Sequence, residues 1–256
     1  PLEVCTADAV LSPPSPKERA LLAHLVIRAR HTVGTDELIE TLWGEHPPRT
    51  AGKALQNHVV RLRRLIEPTP DARPEILVTD PSGYRLEIPD EAIDSRRFES
   101  LSEIGRAAFR DGRMAAATDA LNQALGLWRG RAYHGLESSP ALGREARRLE
   151  DLRLRAIEDR VAADLDLGRA REVIGELESL VEVEPLRERL WWLLILALYR
   201  SDRQADSLSA YRRARDVLVE ELGAEPGPAL RGLQAQVLRQ DPALDRPERS
   251  TTLPSA

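Results

Sequence analysis

Lys53, Gln56, Asn57, Arg61 and Arg64 recur at intervals that bring them to one side of a helix, and each can donate a hydrogen bond. An Asn or Gln amide matches the donor and acceptor on the major-groove edge of adenine, and an Arg fork matches the two acceptors of guanine. Lys and Arg also neutralise phosphate oxygens. The opposite side of the segment carries Leu55, Val59, Leu62 and Ile66, spaced four, three and four residues apart, the stripe of an amphipathic helix. No Asp or Glu occurs between Glu45 and Glu67, although acidic residues outnumber basic ones 42 to 37 in the chain and the net charge is −5. A basic outward face is ordinarily just a solvated one. A carboxylate held against phosphates would oppose binding, so the missing acids fit a helix that lies against a polyanion.

The elements that would hold this helix are readable on either side. "PLEVC" and residues 9–11 read as short strands before a Pro-rich turn. "KERALLAHLVIRA" places Leu21, Leu22, Leu25 and Val26 on one helical face. "TDELIETLW" gives a second helix, with Thr35 expected as its N-cap and Asp36 and Glu37 in the first turn, where the helix dipole favours acids. Pro47 and Pro48 in "GEHPPR" impose an extended approach to the third helix, with Thr50 as candidate cap. "EILVT" and "YRLEI", joined by "DPSG", predict a hairpin. Two helices, a third with a polar outward face and then a hairpin form winged helix-turn-helix order. In that order the third helix enters the major groove and the hairpin meets the adjacent minor groove or backbone.

From residue 94 to about 240 nothing reads as a strand, so the chain is expected to be mainly α: an N-terminal α+β winged helix (residues 1–92) followed by an all-α bundle (93–240). The last stretch, "DPALDRPERSTTLPSA" (241–256), reads as a flexible tail or linker. The bundle repeats itself. Arg169 in "LGRAREV" and Arg203 in "SDRQADS" stand 34 residues apart, the tetratricopeptide period, which pairs Leu177 with Tyr211 and Leu180 with Ala214 and sets Pro185 at a repeat end. Gly105, Ala117, Leu121 and Ala124 mark an earlier copy around Asp111 to Arg113, separated from the next by an insertion of 22 residues. Small residues at such places let paired helices approach closely.

Other chemistries find little support. His24, His31, His46, His58 and His134 are scattered without ligand spacing, so no metal is expected. No Walker-type loop and no Ser/His/Asp set stands out, which argues against an enzyme and against a cofactor. The lone Cys5 can form no internal disulfide; it is expected as a buried thiol in a reducing, cytoplasmic setting. "WWLLILALY" is far shorter than the ~20 residues of a membrane span, and no export leader is read before the fold. Trp43 is expected in the winged-helix core. Trp191 and Trp192 are adjacent and cannot both face one core, so one is a candidate contact to another domain or chain. "REARRLEDLRLRAIEDR" mixes both signs at helical spacing and reads as a solvated face.

"KERALLAHLVIRARHTVGTDELIETLWGEHPPRTAGKALQNHVVRLRRLIEP", followed by "ILVTDPSGYRL", resembles the OmpR/PhoB-type winged helix of the Streptomyces antibiotic regulatory protein (SARP) family. "ALGLWRGRAYHGL" and "AYRRARDVLVEELGAEPGPALRGLQAQVL" resemble the bacterial transcriptional activator domain that follows it there, itself a tetratricopeptide-like bundle. The resemblance spans residues 1–244, and it implies a few residues preceding Pro1. It implies an activator of secondary-metabolite (antibiotic) genes that binds direct repeats in double-stranded DNA near the −35 element, as a dimer on DNA, and recruits RNA polymerase through its sigma and alpha subunits. Carried over by position, Gln56, Asn57 and Arg61 would face bases, and Thr50, Lys53, His58, Arg63 and Arg64 phosphates. Ser82 and Arg85 would be the wing contacts, and Glu45, His46 and Arg49 would lie in the polymerase-contact loop. The family wing often carries Arg where this chain has Asp80, which lowers the expectation for wing contacts. A competing reading keeps the repeats as a peptide-binding scaffold and the winged helix as purely structural.

Overall fold

The computed structural model describes residues 2–5, 9–67, 74–136 and 139–245, which form five short strands and ten α-helices. β1 (Val4–Cys5) pairs antiparallel with β2 (Val10–Leu11), setting Val4 opposite Leu11. Successive strand residues point to opposite sides, so with Val4 turned toward the core Cys5 faces outward. Its thiol is exposed, contrary to the expectation of a buried one.

α1 (Pro16–Ile27) starts with Ser15 as N-cap, whose hydroxyl accepts from the Glu18 amide at 3.2 Å, and with Pro16 in the first turn. Leu21, Leu22 and Leu25 are buried as their spacing predicts, while Val26 is half-buried. β3 (Val33–Gly34) then leads into α2 (Thr35–Trp43). Gly34, not Thr35, is the N-cap, and no side chain caps this helix. The reason is sheet pairing: Gly34 lies opposite Gly83, and the Thr35 amide donates to the Ser82 carbonyl at 3.2 Å, so the strand ladder fixes where the helix begins.

α3 (Ala51–Ile66) is followed by β4 (Leu77–Asp80) and β5 (Gly83–Leu86), whose hairpin turns over Pro81 and Ser82. The sheet order is β3-β5-β4, antiparallel throughout. Gly83 is required by close approach, since a Cβ there would stand 1.9 Å from the Val33 carbonyl oxygen. Leu21, Leu25, Leu38, Leu55, Leu62 and Leu77 are fully buried around these elements. Each such side chain contributes roughly 1.5–3 kcal/mol by leaving water.

Seven further helices follow: α4 (Asp94–Arg110), α5 (Met114–Leu125), α6 (Pro140–Asp166), α7 (Ala170–Val183), α8 (Glu188–Tyr199), α9 (Gln204–Leu222) and α10 (Pro228–Arg239). No strand occurs among the described residues after Leu86. The chain forms two compact units, one of Pro1–Ser100 with Ala124–Leu154, the other of Leu101–Gln123 with Arg155–Ala256, so α4, α5 and α6 contribute residues to both.

In the second unit the repeat has a backbone signature. Gly112, Gly168 and Asp202 all take positive φ (73°, 79° and 63°). The Arg that follows each donates its amide five residues back, Arg113 to Ala108, Arg169 to Asp164 and Arg203 to Leu198, at 2.9, 2.9 and 3.0 Å. This is the Schellman way of stopping a helix. At Gly105 a Cβ would meet Leu121 at 2.6 Å, the close approach expected of a small residue there. Asp164, buried, accepts from Arg160 at 3.1 Å and Arg169 at 3.0 Å. Trp191 is buried and donates its indole N–H to the Pro185 carbonyl, whereas Trp192 is half-buried beneath the Arg189 guanidinium. Part of the expected tail is folded: Pro242–Leu244 forms a 3-10 turn that buries Leu244, and Arg200 donates to the Leu244 carbonyl. Residues 246–256 lie outside the described residues.

Candidate nucleic-acid interface

α3 buries Leu55, Val59, Leu62 and Ile66, and leaves Lys53, Gln56, Asn57, Val60, Arg61 and Arg64 exposed. Gln56, Asn57 and Arg61 are therefore together on the outward face, with Lys53 one turn before them and Arg64 one turn after. Val60, 46% exposed, stands in the middle of this face; it was passed over in the sequence because an apolar residue there breaks the polar pattern. Thr50 precedes the helix as its N-cap, exposed and without a side-chain cap bond.

Two basic side chains of α3, Arg63 and His58, are turned inward instead. Arg63 donates Nε to the Leu77 carbonyl at 2.9 Å and a terminal nitrogen to the Thr79 hydroxyl at 2.7 Å, so its guanidinium ties α3 to β4. His58 is half-buried, with Nδ1 3.4 Å from a Glu18 carboxylate oxygen and its ring tilted against Trp43 at 6.3 Å. The same Glu18 oxygen accepts from Arg61 at 3.3 Å. Glu18 is 1% exposed while Arg61 is 63% exposed, so one buried carboxylate under the helix anchors a guanidinium whose remaining donors face out. Burial alone would raise the Glu18 pKa, but hydrogen bonds from His58 and Arg61 overcome it and hold the carboxyl below the ordinary carboxylate value.

Glu18 was missed in the sequence. The available signal was "SPKE": Ser at the N-cap, Pro in the first turn and Glu at N3 spell a capping box, which marks Glu18 as turned to the helix start rather than to solvent. Glu67, noticed only as the end of the acid-free run, is also structural. Its carboxylate accepts the amides of Glu75, Ile76 and Leu77 at 3.1, 3.2 and 2.8 Å, which pins the start of β4 beside the end of α3.

At the hairpin, Ser82 is exposed in the turn. Arg85 pairs with Asp80 at 3.1 Å and with Glu87, and Asp80 also accepts from the Thr32 hydroxyl at 2.6 Å. The wing cation is thus neutralised from both sides. In the α2–α3 connection Glu45, His46 and Arg49 are all exposed around Pro47 and Pro48. Trp43 packs partly buried on the core with the Lys17 ammonium over its ring at 4.7 Å. No group of His, Cys, Asp and Glu suited to a metal occurs among the described residues, and no helix among them is long and apolar enough to cross a membrane.

A winged helix with a donor-rich, carboxylate-free third helix is the architecture of a DNA-binding transcriptional regulator. Two family models match: "Transcriptional regulatory protein, C terminal" over residues 12–86 and "Bacterial transcriptional activator domain" over residues 93–238. The chain belongs to the SARP family of transcriptional regulators. It is 36% identical over 241 residues to regulatory protein DnrI of Streptomyces peucetius, covering 92% of this chain and 89% of that one. It is 39% identical over 245 residues to regulatory protein AfsR of Streptomyces coelicolor, covering 95% of this chain but 24% of the relative. The transcriptional regulatory protein EmbR of Mycobacterium tuberculosis is 38% identical over 252 residues, 98% of this chain and 65% of EmbR. A solved structure of EmbR in complex with a low affinity phosphopeptide superposes with a TM-score of 0.88 over 97% of this chain and 64% of that one. The chain thus spans about a quarter of AfsR and under two thirds of EmbR.

Proposed function

We propose that this chain is a sequence-specific activator that binds direct repeats in duplex DNA upstream of secondary-metabolite genes and recruits RNA polymerase. The observation that carries the proposal is the outward face of α3, where no acidic side chain is exposed among the described residues 46–66. Gln56, Asn57 and Arg61 read base edges, with Val60 placed to meet a thymine methyl. Lys53, Arg64 and Thr50 contact phosphates. His58 and Arg63 act from beneath, holding the helix against α1 and β4 rather than touching DNA. Ser82 contributes at the wing, while Arg85 is occupied by its two carboxylates. Glu45, His46 and Arg49 form the polymerase-facing connection, and the regulator acts in the cytoplasm.

One winged helix reads only a few base pairs, so a specific site requires two copies on DNA, about one helical turn or ~10.5 bp apart. A fluorescence anisotropy titration tests this, comparing a duplex carrying tandem repeats recovered by footprinting with a scrambled duplex of equal length. Saturable preference for the repeats is expected. Equal, salt-insensitive binding to both would instead favour a protein-interaction scaffold with a structural winged helix.

A further inference from the structure

A cavity of about 520 Å³ lies within the first compact unit. One wall is the winged-helix core itself: Leu22 and Val26 of α1, Ile66 at the end of α3, and Leu86 of β5. The facing wall is aromatic, Phe98 of α4 meeting Trp128 edge-to-face at 5.3 Å. The cavity is partly open to solvent, and apolar side chains that line such a space lack packing partners on that side. The volume falls in the range of small-molecule sites, which are mostly apolar with a few convergent polar groups.

The charged groups lining the cavity define what would fit. Arg129 is held between Glu3 at 3.4 Å and Asp94 at 3.2 Å. Arg97 and Arg131 also line the cavity, both are exposed, and neither forms an ion pair among the described residues. Two guanidiniums with no ion-pair partner among the described residues, beside an apolar, aromatic-walled space, complement a molecule with a greasy body and one negative end. A cation would meet repulsion from Arg97 and Arg131, and a fully polar anion would leave the apolar lining uncovered.

We propose that this cavity binds one small amphipathic organic anion, its apolar body between α1 and the Phe98–Trp128 pair and its carboxylate toward Arg97 and Arg131. An occupant would touch Ile66 and Leu86, residues of the same core that seats the third helix and the hairpin. The site stands apart from the DNA-reading face, and its test uses no DNA, so its outcome is independent of the function proposed above.

The test is calorimetric titration of the full chain with sub-micellar dodecanoate, paired with the shift in thermal unfolding midpoint, with dodecanol as the uncharged control. Expected are one saturable site per chain, a raised midpoint, and roughly five- to tenfold weaker binding of dodecanol. The double charge reversal Arg97→Glu with Arg131→Glu should weaken dodecanoate by a similar factor and leave dodecanol unchanged. Ile88→Trp, which fills the space from its lining, should abolish both. Absence of a saturable site, unchanged dodecanoate affinity in the charge-reversed protein, or undiminished binding in a folded Ile88→Trp protein would each overturn the proposal.

Discussion

Arg61 and Glu18 illustrate how a residue on the surface depends on one beneath it. Arg61→Ala should cost about 1–3 kcal/mol of binding to the preferred duplex and flatten discrimination at one base pair, read by anisotropy across single-base variants. Glu18→Gln removes the buried anchor without removing Arg61. Because the Glu18 carboxyl is held below its ordinary value of 4.5, its contribution to stability is fully present above that value and is lost as pH falls through the lower folded-state value. The wild-type protein should therefore lose stability on acidification below about pH 4.5 more steeply than the Gln variant, in urea titrations at stepped pH. Equal slopes would show that the carboxylate has no preferential bond with His58 and Arg61 in the folded state.

At the scale of elements, the hairpin and the helix stops carry the sharpest expectations. Glu67→Ala leaves three backbone amides at the start of β4 without their acceptor, and a loss of about 3 kcal/mol is expected by chemical denaturation. Asp202 occupies the left-handed conformation that Gly112 and Gly168 take at the equivalent places. Asp202→Gly should raise stability by about 0.5–1 kcal/mol, since Asp bears a steric cost there that Gly does not. These same elements divide what the sequence made readable from what it hid. α3 was legible because its four apolar positions keep one helical period, and the hairpin because "DPSG" sits between two strand-like runs. β3 was not: two residues carry no period, and the strand exists only through pairing with β5 some fifty residues on. The Thr35 cap was misplaced for the same reason. In the site, the outward donors followed from spacing, but the inward turn of His58 and Arg63 depends on Glu18 and β4, partners too distant in sequence to show as a local pattern. The third compact-unit segment, residues 124–154, was equally hidden, because α6 runs on without a composition change where the units divide.

Over the whole molecule acidic residues outnumber basic ones 42 to 37, while the outward face of α3 carries no carboxylate, so binding strength should respond sharply to ionic strength. With Lys53 and Arg64 each neutralising a phosphate in two bound copies, log K against log salt should fall with a slope of about −3 to −5. Arg64→Ala should reduce that slope by about 1 per copy and weaken specific and scrambled duplexes alike. A slope near zero would mean that face does not meet phosphates at all. The identical endings at Gly112, Gly168 and Asp202 bear on how such a chain can grow. Each stops its helix with the same amide-to-carbonyl bond five residues back, so a helical pair spliced in at one of them would find its junction already made. Length can then change in whole units while the neighbouring joints stay as they are, and inheritance can lengthen the molecule without inventing a new joint.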